Sequence, residues 1–153
     1  MPQRTSRRDF LQATAATGIG FWVAGGVQAH QSESANEKVQ IACVGCGGKG
    51  SSDSADSGSR GEVVAICDVD EKTLNAAATR FPKAKKFFDF REMLEKMGKS
   101  IDAVTVSTPD HTHSAAALMA MRMGKHCFVQ KPLTHTIYEA RLLGQVAKEK
   151  KVA

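Results

Sequence analysis

The stretch that most limits how this chain can fold is "VQIACVGCGGKGSSD", Val39 to Asp53. Here an apolar run breaks into six residues of which four are glycine. Gly45, Gly47 and Gly50 form G-x-G-x-x-G directly behind a strand-like segment. In that frame the first glycine permits a tight turn and the second lets a pyrophosphate meet the backbone. The third allows a helix to pack closely on the strand. Gly48 lies at the start of that helix, whose free amides suit an anion. A triphosphate-binding P-loop is excluded, because Gly48-Lys49 is followed by Gly50 and not by Ser or Thr.

The remaining pattern alternates. "EVVAICD", Glu62 to Asp68, reads as a second strand, and Asp70 caps a helix running to about Arg80, stopped by Phe81-Pro82. "KKFF" is a short third strand, and Asp89 with Glu92 makes a D-x-x-E capping signature for a helix ended by Gly98. Ile101 to Thr108 is a fourth strand, followed by a helix that Asp110 caps and Gly124 ends. "HCFVQ" is a fifth strand, and Thr136 with Glu139 opens a last helix towards Lys150. Strands that are continuous apolar runs, separated by helices, belong to a parallel sheet buried on both faces. We therefore expect an α/β fold with a doubly wound parallel sheet. The segment "SSDSADSGS" fits this scheme least well, since Ala55 is its only apolar side chain and it predicts a short or frayed helix.

Asp68 ends the second strand at the spacing where a carboxylate accepts hydrogen bonds from both hydroxyls of an adenine ribose. It would repel a 2′-phosphate, and no arginine follows to compensate, so NAD is expected in preference to NADP.

The first thirty residues have a different character: a basic start, a mild apolar run and "VQA" before His30. "SRRDFLQ", with Arg7 and Arg8, resembles the twin-arginine export motif, and Val27 and Ala29 suit cleavage after Ala29. The expected organisation is a signal peptide over 1–29, a polar leader over 30–38 and a dinucleotide-binding domain over 39–153. Export to the periplasm through the twin-arginine machinery follows, with a retained membrane tether as the second reading. Cleavage removes three positive charges and one negative, taking the net charge from +5 to +3, too mild to argue for nucleic acid.

Cys43 and Cys46 make a C-x-x-C, but no second cluster at zinc spacing accompanies them. With Cys67 and Cys127 they read as small buried hydrophobes, a Cys46 to Cys67 bridge being the alternative. His111 and His113 make an H-x-H in the first turn of a helix, where neighbours two apart diverge, so no metal is expected.

Two further stretches, "AVTVSTPDHTH" from Ala103 and "GKHCFVQKPLTHTIYEAR" from Gly124, stand in order behind the glycine turn and "VVAICDVD". Together they resemble the glucose–fructose oxidoreductase, inositol dehydrogenase and rhizopine-catabolism (Gfo/Idh/MocA) family, from about Val39 to the end. The resemblance implies that Thr108 and Pro109 lie along the cofactor. It also implies that Lys131, in the position of a Glu-Lys-Pro lysine, sits near the nicotinamide and steadies the substrate alkoxide or helps move its proton. Gln130 stands where glutamate is usual. His113, in the family-like loop, is expected to touch substrate or cofactor.

Members of that family carry a second, mostly antiparallel domain that holds the substrate. The chain is therefore expected to be an amino-terminal portion, with any homo-oligomer formed through the other domain. The leading expectation is an NAD-dependent oxidoreductase of a sugar- or cyclitol-like hydroxyl. An NAD-dependent glycosidase and a non-catalytic nucleotide-binding fragment are the alternatives. A methyltransferase would share the glycine turn but not account for "STPDHTH" or "VQKPL".

Overall fold

A computed structural model describes residues 38–153, so the expected signal peptide, its cleavage point and nearly all of the leader lie outside the described residues. Five strands form one parallel sheet: β1 (Gln40–Val44), β2 (Glu62–Cys67), β3 (Lys85–Phe87), β4 (Ala103–Val106) and β5 (His126–Val129). Their spatial order is β3-β2-β1-β4-β5, so the direction of winding reverses between β1 and β4. In such sheets ligands bind at that reversal, outside the carboxyl ends of the strands.

Helices cover both faces: α1 (Lys49–Arg60), α2 (Glu71–Arg80), α3 (Phe90–Met97), α4 (Asp110–Arg122) and α5 (Ile137–Lys150). The two faces are unequal. On one, Ala42, Val44, Val104 and Val106 pack with Met93 and Leu94 of α3, Ala116 and Ala120 of α4, and Leu143 of α5. On the other, Ile41, Cys43 and Ile66 meet Leu74 and Ala77 of α2. Each large aliphatic side chain buried in these layers stabilises the fold by about 1.5–3 kcal/mol.

The expected caps are mostly present. Asp70 accepts from the Lys72 amide, Asp89 from the Arg91 amide, and Thr136 and Glu139 form a complete capping box. Two expectations are corrected. Glu92 makes no reciprocal bond to the Asp89 backbone; it pairs with Lys96 one turn on. Asp110 is the first helical residue of α4 and not its cap; Pro109 holds the cap position, since its φ of −57° and ψ of 145° lie outside the helical region.

The expectation of a frayed helix after the glycine turn is also overturned, since α1 runs for 12 residues. It buries Gly50, Asp53 and Ser54 in place of an apolar stripe. Small residues bring it close to the sheet, and hydrogen bonds replace hydrophobic burial. Ser57 Oγ donates to Asp53 O, and the Arg80 guanidinium of α2 donates to Ser51 O at 2.6 Å.

Candidate functional site

The glycine turn lies at the winding reversal. Gly45 has φ +83°, a conformation that side chains rarely adopt, and a Cβ there would stand 2.7 Å from the Ser107 carbonyl carbon and oxygen. The first glycine thus lets the turn pass against the end of β4. A Cβ at Gly50 would lie 2.1 Å from Gly45 O, so the third glycine seats α1 on the turn. At Gly47 a Cβ would meet only the Thr73 side chain, at 3.0 Å. The three glycines therefore have separate duties: two are needed by the protein's own backbone, and Gly47 faces the cleft.

The start of α1 differs from those of α2, α3 and α5. Its cap is Gly48, with φ 50° and no side-chain hydrogen bond, and its first turn carries no acidic residue. The Gly50 and Ser51 amides turn back to Gly47 O and Gly48 O, while the amides ahead of them, with no side-chain acceptor, fit a phosphate, for which the helix dipole adds attraction.

Asp68 follows β2 and is half-buried. Its Oδ2 accepts from the Cys46 amide at 2.7 Å and its Oδ1 from the Asp70 amide at 2.9 Å. The carboxylate therefore anchors the glycine turn, and lone pairs remain on both oxygens for further donors.

A cleft of about 460 Å³ brings together Gly45, Gly47, Asp68, Thr108 and Pro109. Val69 and Phe88, both exposed apolar side chains, and Phe90 add a flat hydrophobic wall. The cleft thus pairs a glycine-lined floor with a carboxylate and apolar surface, the combination a dinucleotide requires.

Gly48, Gly50, His113 and Lys131 do not line this cleft. Lys131 is exposed, in the loop after β5, and its peptide bond to Pro132 is cis. His113, expected to touch substrate or cofactor, is instead buried at 2% exposure. One ring nitrogen lies 2.8 Å from Pro132 O and the other 2.6 Å from Thr108 O. Both carbonyls only accept, so a neutral ring donates to one of them and a doubly protonated ring to both. The histidine ties the Thr108 loop to the Lys131 loop. His111, two residues away, is exposed, so the two rings do diverge.

Sequence reasoning passed over Asp53. It is 7% exposed, and its Oδ1 lies 2.6 Å from Lys49 Nζ. Its Oδ2 accepts from Ser107 Oγ and from Gln130 Nε2, both at 2.8 Å. Burial pushes this carboxyl up, but the hydrogen bonds from Lys49, Gln130 and Ser107, with the Lys49 charge, outweigh it and hold it below the usual carboxylate range. The readable signal was an inward stripe at Gly50, Asp53, Ser54 and Ser57 holding a carboxylate, which has to be paired if buried.

All four cysteines are free. Burial pushes the Cys46 and Cys67 thiols up to about 12, the charges of neighbouring thiols and of Asp68 adding to it. Such thiols are inert.

A profile of the oxidoreductase family with an NAD-binding Rossmann fold (GFO_IDH_MocA) matches residues 39–153. Among curated proteins, a glycosyl hydrolase family 109 protein of Saccharopolyspora erythraea is 32% identical over 88% of this chain and 35% of its own length. The UDP-N-acetylglucosamine 3-dehydrogenase of Acidithiobacillus ferrooxidans is 44% identical over 33% of this chain and 16% of its own. Among solved structures, the WlbA dehydrogenase of Bordetella pertussis, in complex with NADH and UDP-GlcNAcA, superposes with a TM-score of 0.68. It is 27% identical and covers 76% of this chain and 36% of its own. The chain thus spans about a third or less of these relatives.

Proposed function

The chain belongs to the oxidoreductase family with an NAD-binding Rossmann fold, and from that premise we propose that it forms the cofactor-holding part of an NAD-dependent dehydrogenase of a sugar- or cyclitol-like hydroxyl. The observation that carries this reading is the cleft at the winding reversal, where Gly45, Gly47, Asp68, Thr108 and Pro109 come together, with the uncapped start of α1 following the turn in sequence.

Bound NAD would supply a hydride acceptor; the other tasks fall to residues of this chain. The opening amides of α1 hold the pyrophosphate, and Gly47 keeps side chain out of its path. The Asp68 carboxylate accepts from the ribose hydroxyls and excludes a 2′-phosphate, which favours NAD over NADP. Thr108 and Pro109 line the path towards the reacting end. Lys131 steadies the alkoxide or receives the hydroxyl proton of a substrate held by a further domain, through which copies of the protein also associate.

A glycosidase that uses transient oxidation is the second reading, favoured by the likeness to a glycosyl hydrolase family 109 protein over 88% of the chain. "SRRDFLQ" supports delivery to the periplasm by the twin-arginine route, with the cofactor bound before export.

The test is calorimetric titration of the chain with NAD and NADP. NAD binds more tightly, and Asp68→Ala weakens NAD relative to NADP. Equal loss of both, or none in a folded variant, overturns the assignment of Asp68. In the protein joined to its substrate domain, Lys131→Ala lowers turnover by roughly 10²–10⁴-fold with NAD affinity unchanged. Release of p-nitrophenol from an aryl glycoside, with no net NADH, would select the glycosidase reading.

A further inference from the structure

The side-chain amide of Gln130 is used at both ends. Nε2 donates to Asp53 Oδ2 at 2.8 Å, while Oε1 accepts from the Lys131 amide at 2.8 Å. The carboxylate only accepts and the Lys131 N–H only donates, so a single orientation of the amide satisfies both. The Gln130 amide donates to Val106 O at 2.9 Å, which sets the side chain beside the end of β4. Ser107, the residue after β4, then completes the cluster, and Lys49 on α1 is the charged group facing Asp53.

We infer that Asp53 is a positioning residue: it holds Gln130, and through Gln130 the backbone of Lys131, so that α1 and the lysine loop are set as one unit. The inference rests on the proposed role of Lys131. The pairing also makes the residue type at 130 matter. A glutamate there would offer Asp53 no donor and would set two carboxylates against each other in a nearly dry site, where one must take up a proton or the contact must open. The negative charge of this cluster sits on the helix, and the loop partner is neutral. Asp53 and Gln130 are thus matched: a glutamate at 130 breaks the link, an asparagine at 53 keeps an acceptor for Nε2 and gives up only the pairing with Lys49, and the two changes together restore the link with its direction reversed.

A four-member cycle tests this: wild type, Gln130→Glu, Asp53→Asn and the double variant, each read without NAD. The readouts are urea unfolding at pH 5 and pH 8 and the ¹H–¹⁵N resonance of the Lys131 amide. Gln130→Glu lowers the folding equilibrium constant at pH 8 by roughly ten- to a hundredfold and recovers part of it at pH 5, where a carboxyl can be protonated. In the double variant the asparagine donates to the glutamate, so stability returns, its pH dependence disappears and the Lys131 resonance moves back towards its wild-type position. Should Gln130→Glu prove too unstable to study, Gln130→Met, which removes both the donor to Asp53 and the acceptor for the Lys131 amide, must still shift the Lys131 resonance and lower stability. Double-variant stability no better than that of Gln130→Glu, or a Lys131 resonance unmoved throughout, overturns the inference. A wild type that binds no NAD while the cycle closes as expected removes the functional reading and leaves the matched pair standing.

Discussion

Replacing Gly50 with alanine probes the seam on which the site is built. The added methyl carbon would sit 2.1 Å from Gly45 O, 2.8 Å from Gly45 C and 3.2 Å from Ser107 Cβ. Carbon and carbonyl oxygen normally approach to about 3.3–3.6 Å, so α1 must retreat by about 1 Å. No flexible side chain can absorb this, because the nearest atoms are backbone. The same retreat stretches the 2.8 Å bonds from Ser107 and Gln130 to Asp53 beyond useful length. Overpacking costs about 1–3 kcal/mol, and a buried carboxylate losing donors costs about as much again. A loss of about 3 kcal/mol or more follows, against about 5–15 kcal/mol for a typical domain. Gly47→Ala is the control: its methyl meets only the Thr73 side chain, Cγ2 at 3.0 Å and Oγ1 at 3.4 Å, which can give way more easily than backbone. It should unfold close to wild type and still lose NAD affinity. Far-UV circular dichroism against urea measures the first effect and calorimetry the second. A Gly50→Ala variant within about 1 kcal/mol of wild type, or a Gly47→Ala variant that binds NAD normally, would refute this division of labour.

Two further outcomes are expected. Cys46 and Cys67, their thiols pushed up to about 12, stay protonated and resist a disulfide reagent at pH 8 until urea unfolds the chain. Because the folded values are raised, the contribution of these thiols is complete below the free-thiol value of about 8.5. It drains away as pH climbs from there towards 12, so alkaline unfolding should begin within that window; full modification of the native chain within minutes would contradict it. Replacing both Arg7 and Arg8 with lysine should leave the precursor in the cytoplasm, whereas the wild type appears outside, shortened near Ala29. Fractionation and mass determination read this, and export unaffected by the double change would remove the twin-arginine reading.

Much of this molecule could be read locally. The glycine spacing, the strand ending at Asp68 and the caps at Asp70, Asp89 and Thr136 are each written in residues a few positions apart, where spacing is informative, even though Gly45 answers to the distant Ser107. What escaped depends on distance along the chain. Gln130 meets Asp53 across 77 positions, and no periodicity reports such a meeting. The helix α1 was underestimated for the same reason: its support comes from Ser107, Gln130 and Arg80, all remote in sequence. His113 was aimed at a ligand because its loop suggested one, yet tertiary packing turned it inward to two carbonyls. Asp110 missed the cap by one position: the backbone turns helical after Pro109, and the Asp110 carboxylate accepts from the next amide, that of His111.

Asp68 anchors the turn through the Cys46 amide, and this bears on how cofactor choice could change over time. A lineage drifting towards the phosphorylated dinucleotide would have to shed this carboxylate. Doing so also unpins the loop that cradles either form of the cofactor. A lone substitution would therefore give up most of the grip on NAD while the loosened turn gains little on the phosphorylated form, a valley that selection seldom crosses. Conversion needs a second residue to take over the Cys46 amide first, so preference here should be inherited stubbornly, and an engineer would do well to rebuild the anchor before altering the taste.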